Sequence, residues 1–217
     1  MQAEFTYAPP RGPLDVLHLD EDLLVLNKPP GLLSVPGKAA RHADCLEARA
    51  KAAFPGALLV HRLDMDTSGV MIFALNKSAQ RHLGLQFERR QAEKTYEALV
   101  WGQPADQGEV SLPLIVDWPN RPLQMVDHER GKPAHTRFEV MAREAIHSRL
   151  RLMPTTGRSH QLRVHMLALG HPVLGDRFYA TGEALTAAPR LCLHALTLEI
   201  YHPAGGARIA FHAPCPF

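Results

Sequence analysis

The chain predicts an α+β fold, a mostly antiparallel sheet with few helices, and three observations carry that reading. Residues 94–101 alternate, with Tyr96, Ala98 and Val100 on one side and Thr95, Glu97, Leu99 and Trp101 on the other, the two-residue period of a long strand. Val70-Met71-Ile72-Phe73-Ala74-Leu75 is an unbroken apolar run of strand length. Helical periodicity surfaces in only three places, among many short strand-like runs, which is the pattern of helices set against an antiparallel sheet.

Taken in order, Val16 to Leu19 and Leu23 to Asn27 read as short strands, followed by a Pro/Gly loop from Pro29 to Gly37. A helix is expected to open at Asp44, whose carboxylate caps it while Glu47 completes a capping box, with Leu46, Ala50 and Phe54 inward. Asn76 caps a second helix that buries Ala79, Leu83 and Phe87 and ends in the basic Glu88-Arg89-Arg90. From Gly102 to Pro133 the residues are rich in Pro, Gly, Asp and Asn without sustained periodicity, which predicts a long functional or partly disordered loop. Strands resume at Thr136 to Met141 and Arg149 to Met153. Ser159 is the expected cap of a third helix, with Leu162, Met166 and Leu169 inward and Gly170 as its stop. A turn at Gly175-Asp176 and strands at Leu191 to Tyr201 and Ala207 to Phe211 complete the chain. No internal repeat, low-complexity tract or linker interrupts it, so the domain reading is a tail over residues 1–15 and one domain over 16–217.

Between the apolar runs Ala57 to Val60 and Val70 to Leu75 hangs the polar loop His61-Arg62-Leu63-Asp64-Met65-Asp66-Thr67-Ser68-Gly69. A base, a cation and two carboxylates on a rigidly held loop form a catalytic presentation, against the alternative of a solvated ion-pair turn. Arg62 and Asp64, two residues apart, project to one side if the segment is extended. Asp66 reads as structural, capping the turn at Thr67-Ser68-Gly69.

Composition narrows the classes. The 217 residues are 46% hydrophobic, enough for a substantial core. No apolar run approaches a membrane span and residues 1–11 lack the apolar core of a signal peptide, so a cytoplasmic protein with no membrane partner is expected. Cys45, Cys192 and Cys215 are odd in number and widely spaced, as free thiols are. Thirteen histidines invite a metal reading that the spacing rejects: there is no H-E-x-x-H, and His160 and His165 are five apart, poorly placed for one helical face. A formal charge of +2 permits nucleic-acid binding without indicating it.

Four ordered segments give a sharper reading. The loop His61 to Gly69, together with Asn27-Lys28-Pro29-Pro30-Gly31-Leu32, Lys94 to Gly102 and Gly157-Arg158-Ser159-His160-Gln161-Leu162-Arg163-Val164-His165, resembles the RluA family of pseudouridine synthases over nearly the whole chain. Departures are mild, such as Ser159 and Leu162 where Thr and Ile are frequent. The resemblance implies a large bent mixed sheet with flanking helices, a central cleft and no S4 domain. It implies an RNA-modifying isomerase acting on stem-loop uridines, both in tRNA anticodon stem-loops and in a 23S rRNA hairpin. It further implies Asp64 as catalytic residue, Arg163 as its guanidinium partner, and Tyr96 stacked on the target uracil. By the same resemblance Arg62 fills the place of the flipped base and His61 is among the substrate-binding residues, while Lys28, Arg158 and His160 touch phosphate or support the cleft.

Breaking the N1–C1′ bond of uridine and rejoining the ring through C5 involves no net redox change and no outside reactant, so neither metal nor cofactor is expected. It calls for a carboxylate near the sugar in a dry pocket, since glycosidic chemistry sets carboxyl groups against positive charge developing at C1′. Whether Asp64 attacks C1′, adds to C6 or removes the 2′ proton stays open in the residues, and the resemblance favours the last. Two rivals are a silent RNA-binding module of the same fold and a nucleoside or glycan hydrolase. A monomer is expected.

Overall fold

The computed structural model describes residues 6–217; residues 1–5 of the expected tail lie outside the described residues. Its strands are β1 Val16–Leu19, β2 Leu23–Lys28, β3 Leu58–Leu59, β4 Ser68–Ala74, β5 Glu93–Trp101, β6 Gln107–Val110, β7 Leu114–Val116, β8 Gln124–Val126, β9 Thr136–Arg143, β10 His147–Pro154, β11 Leu193–Tyr201 and β12 Arg208–His212. The helices are α1 Leu46–Ala53, α2 Lys77–Glu88, α3 Gln161–Ala168 and α4 Gly182–Thr186. Among the described residues, ten strands form one sheet in the order β1-β2-β4-β11-β5-β10-β9-β6, with β3 paired to β4 and β12 to β11. Every pairing is antiparallel except β4 with β11, so the expected mixed, mostly antiparallel sheet is present.

That parallel contact is short, His194 opposite Ser68 and Ala195 opposite Gly69, and it joins the two halves of the sheet. On its other edge Ala195 pairs with Tyr96 of β5. Gly69 and Tyr96 therefore flank one residue, about two strand spacings or roughly 10 Å apart, and the polar loop that precedes β4 opens onto this seam. The left half packs on both faces, as its alternation demands. Leu23, Val25, Val70 and Ile72 meet α2, whereas Leu24, Leu26, Met71 and Phe73 meet α1. On the right half, Ala98, Val100, Leu150 and Leu152 bury against Leu162, Met166 and Ala184 of α3 and α4.

The helices depart from expectation at their caps. Asn76 does cap α2, accepting from Ala79 N at 2.9 Å. At α1 the cap is Cys45, whose Sγ accepts from Ala48 N, because the Asp44 carboxylate is taken by both Nε and Nη2 of Arg49 at 2.7 Å. At α3 the cap is His160 in the left-handed region, φ +53, and Ser159 has no capping role. The Arg158 amide instead donates to the side chain of Gln161 at 3.0 Å. Gly170, φ +83, does end that helix, but Leu169 is exposed, not buried.

The stretch 102–133 is not a structureless loop. It supplies edge strand β6 and the separate hairpin β7-β8, whose Leu114, Leu123 and Val126 pack on Val164, Phe178 and Tyr179. Three-residue strands are too short to display a period, and this hid them from the sequence. Residues 6–15 carry no regular element; Tyr7 is buried there, its hydroxyl donating to Asp44 O at 2.7 Å.

Gly69 is the residue on which the seam depends. Its φ of +112 is a left-handed value, and a Cβ would stand 2.2 Å from Ala195 O. Backbone strain of about 1–3 kcal/mol adds to an overpacking cost of similar size. Gly69→Ala is expected to lower stability by roughly 3 kcal/mol or more, read from the midpoint of urea unfolding; an unchanged midpoint would show that the seam tolerates a side chain.

Candidate active site

A cleft of about 100 Å³ lies at the seam, lined by Arg62 and Asp64 from the polar loop, Lys94 and Tyr96 from β5, and Arg158, His160 and Arg163 from the segment entering α3. Six of the eight residues singled out in the sequence thus converge. Arg62 and Asp64 stand on the loop between β3 and β4, Tyr96 within β5, and Arg158, His160 and Arg163 at the entry to α3, so the sheet and one helix hold the geometry.

Arg163 organises the centre. Its residue is 3% exposed, and its guanidinium lies over Phe178 at 5.2 Å and Tyr179 at 5.0 Å. Nε and Nη2 donate to the two oxygens of Asp176 at 2.7 Å each, and Nη1 donates to Asp64 Oδ2 at 3.1 Å. Burial alone would lower the Arg163 pKa, but the bonds to Asp176 and the charges of both carboxylates outweigh it and raise the value. The bidentate partner is Asp176, 1% exposed, which the sequence showed only as half of a Gly-Asp turn. Asp64 shares the same cation through one oxygen. Its side chain is 27% exposed, and Oδ1 accepts no hydrogen bond among the described residues.

Tyr96 shows its ring to the cleft, and its hydroxyl has no hydrogen-bond partner among the described residues. Burial, reinforced by the charge of Asp64, raises its pKa above the ordinary phenol value, so the group stays protonated. His160 stands beside it, stacked on Phe178 at 5.7 Å with Nδ1 2.7 Å from the Tyr179 hydroxyl. That hydroxyl accepts from Gln124 N at 2.8 Å and shares a hydrogen bond with Nδ1, so the hairpin β7-β8 holds the histidine in place. Burial lowers the His160 pKa, which keeps the imidazole neutral. Arg158 is exposed, with Nε donating to Pro133 O at 3.1 Å. Arg62 is exposed and has no hydrogen bond or ion pair among the described residues.

One expected substrate contact, His61, is corrected, and for Lys28 the contacts favour support of the cleft over contact with phosphate. Lys28 is 0% exposed, and its ammonium donates to the carbonyls of Pro29, Leu32 and Met65 at 2.9, 2.7 and 2.8 Å. All three protons are spent, so it ties the polar loop to the preceding Pro/Gly loop and has none left for a phosphate. Burial pushes its pKa down to about 7. His61 points away from the cleft, stacked on Phe87 at 4.7 Å, with Nε2 accepting from Ile72 N at 3.1 Å. Burial pushes its pKa down to about 3, as a ring that accepts a backbone N–H requires. Asp66 pairs with Arg177 at 3.0 Å, and the strand begins at Ser68 where a turn was expected.

Lys94 also lines the cleft without having been a candidate in the sequence, although it sits two positions before Tyr96 and so on the same strand face. A larger cavity of about 300 Å³, lined by residues 10–15, Asn27, Arg49, Ser68 and Arg190, lies elsewhere. Several of its polar side chains are already paired: Arg49 with Asp44, Asn27 with Asp15, and Arg190 with Ser68.

The family model described as RNA pseudouridylate synthase matches residues 22–168. The chain belongs to the RNA pseudouridylate synthase family. It is 55% identical over 214 residues to the dual-specificity RNA pseudouridine synthase RluA of Escherichia coli, covering 97% of this chain and 98% of that one. With the protein of the same description from Pasteurella multocida it shares 52% identity over 218 residues, 99% of this chain and all of the relative. The structure is similar to human RNA pseudouridylate synthase domain containing 1, at a TM-score of 0.78 and 30% identity over 97% of this chain and 87% of that one. Human RNA pseudouridylate synthase domain containing 4 gives a TM-score of 0.74 at 27% identity, over 93% and 88%. This synthase is accordingly an isomerase that converts uridine in RNA to pseudouridine.

The synthase's ion-pair geometry predicts unequal stability losses. Arg163→Met leaves Asp176 buried without its cation, at a cost of about 3–5 kcal/mol. Asp64→Asn removes the charge and can retain the acceptor at one 3.1 Å contact of a partly exposed group, so a loss of about 1 kcal/mol or less is expected. Chemical denaturation of both variants checks the ranking, and equal losses would refute it.

Proposed function

We propose that Asp64 is the catalytic residue of this RNA pseudouridine synthase, acting at the sugar of a uridine flipped onto Tyr96, with Arg163 positioning the carboxylate. The observation that carries the reading is the division of labour on one guanidinium. Asp176 takes two donors and holds Arg163 fixed, so Asp64 has one oxygen anchored and the other turned to the cleft. Near a glycosidic carbon that builds up positive charge, a carboxylate held in one orientation stabilises the transition state without reorganising.

The volume of the cleft supports a single base as occupant. At about 100 Å³ it is well below the roughly 300–1,000 Å³ of sites that enclose free small molecules. A hydrolase reading also meets a difficulty of inventory. Most glycosidases need two carboxyl groups flanking the scissile bond, and here Asp64 is the one carboxylate among the described lining residues, Asp176 being spent on Arg163.

A uridine in a stem or loop must leave its stack to reach Asp64, at a cost of a few kcal/mol. Arg62, exposed and uncommitted at the rim, is suited to occupy the vacated place. The strong identity to relatives described as dual-specificity supports the same breadth here, a tRNA anticodon stem-loop and a 23S rRNA hairpin that present one local sequence.

Asp64→Asn is expected to bind RNA yet form no pseudouridine, checked by carbodiimide labelling and mapping of reverse-transcription stops in both RNAs; near-native turnover would sink the assignment. Arg62→Ala is expected to lower single-turnover rate on a structured stem-loop far more than affinity, with reduced extrusion seen by a fluorescent base analogue beside the target. Proportional loss of rate and affinity with unchanged extrusion would make Arg62 an ordinary phosphate contact.

A further inference from the structure

Lys94 is a cation in the cleft that the fold leaves uncommitted. Its ammonium makes one hydrogen bond among the described residues, to Thr156 O at 3.3 Å, and it has no carboxylate within ion-pair distance. The contrast with Lys28, whose three protons all meet carbonyls at 2.7–2.9 Å, is direct. Burial lowers the Lys94 pKa with no offsetting acid. A half-buried ammonium with one protein acceptor carries a desolvation cost that an anionic ligand would relieve.

Its surroundings favour an anion. The cleft is lined by four cations, Arg62, Lys94, Arg158 and Arg163, against the single carboxylate of Asp64. Arg163 is neutralised by its two acids, which leaves Arg62, Lys94 and Arg158 as surplus positive charge. Lys94 Nζ lies against the backbone of Gly157, 3.8 Å from the point where a Cβ would stand, so the exposed Gly157 and Arg158 form one wall beside the ammonium. With no side chain at Gly157, nothing at that position screens the ammonium. Along β5 the residue sits one side-chain repeat, about 6.6–6.8 Å, from Tyr96, the distance of a neighbouring group on the nucleotide that occupies the tyrosine face.

We propose that Lys94 is a substrate-positioning residue that binds a phosphate flanking the flipped uridine, with Arg158 at the same wall. This rests on the reading of Tyr96 and Asp64 given above. The contact would be made when the nucleotide enters the cleft, so it belongs to the extruded state and not to the docking of the stem.

The test uses the stem-loop RNA in which the wild-type enzyme forms pseudouridine, made with one methylphosphonate in place of the phosphate 5′ or 3′ to the target. Single-turnover rates and half-saturating enzyme concentrations are measured for wild type, Lys94→Met and Lys94→Arg. A charged hydrogen bond of this kind predicts a loss of about 10- to 100-fold in the ratio of rate to half-saturation for Lys94→Met on unmodified RNA. At one of the two positions, the methylphosphonate should cost wild type a similar factor and cost Lys94→Met nothing further, while Lys94→Arg keeps part of the activity. Because removing this ammonium relieves a desolvation cost, Lys94→Met should melt at or above the wild-type temperature. Losses that multiply at both positions, or a wild type indifferent to both substitutions, would overturn the phosphate contact. A lowered melting temperature with unchanged RNA kinetics would show that Lys94 only supports the fold, and would overturn it as well. Absence of pseudouridine with wild type on unmodified RNA counts against the substrate reading itself and is seen in a separate control.

Discussion

Arg163 is the constraint from which the arrangement of the cleft follows. A guanidinium this buried needs compensation, and two carboxylates from distant parts of the chain provide it, thirteen residues ahead at Asp176 and ninety-nine behind at Asp64. The fork geometry of the side chain makes their roles unequal. Two parallel donors suit one carboxylate, and the remaining Nη1 reaches only one oxygen of the other. The rings of Phe178 and Tyr179 close the sides of the guanidinium, so the cation cannot swing toward solvent and drag Asp64 with it. A catalytic carboxylate is commonly described by the group that touches it. Here its freedom is set by the acid that does not touch substrate at all.

The seam between β4 and β11 supplies the distances. Two residue pairs join β4 to β11 across the halves of the sheet, with Ala195 shared between Gly69 and Tyr96. The loop bearing Arg62 and Asp64 enters from the left half, and Tyr96 and Lys94 from the right. Lys28 reinforces the left side from beneath by tying Met65 O to the Pro29 and Leu32 carbonyls. Holding an ammonium away from water is costly, but three backbone acceptors repay it with a loop whose path is fixed at the residue after Asp64. On the right, Gln161 does comparable service: its amide takes the Arg158 N–H and the Thr156 hydroxyl and donates to His135 O and Thr136 Oγ1. The segment carrying Arg158 and His160 is thereby docked on β9.

The hairpin β7-β8 extends the same logic outward. Its backbone N–H at Gln124 fixes the Tyr179 hydroxyl, which fixes His160, whose left-handed backbone turns the chain into α3. Strain at a non-glycine residue persists only where surrounding contacts over-determine it, and the stack on Phe178 and the bond to Tyr179 do so here. A segment without legible periodicity is thus wired to the centre of the cleft, through one hydroxyl.

The amino-acid order by itself determined the fold class, most of the strands, the Asn76 cap and the Gly170 stop, because alternation, apolar runs and capping side chains are local signals read over a few residues. It also marked Arg62, Asp64, Tyr96, Arg158, His160 and Arg163 through motifs dense in chemistry-bearing side chains. Only the tertiary structure separated Lys28 and His61 from that group, since whether a lysine faces phosphate or three carbonyls depends on which loops close over it. Only the tertiary structure showed Asp176 as a member, because an ion pair between distant segments leaves no trace in local spacing, whereas Lys94, two residues before Tyr96 on β5, was legible on the same strand face. The same reason explains α1 and α3: Asp44 and Ser159 are good caps in isolation, but Arg49 takes the Asp44 carboxylate and the left-handed turn at His160 starts α3 beyond Ser159. Local propensity proposes a partner for each polar group, and the packed chain, in which every group has rivals, selects among them.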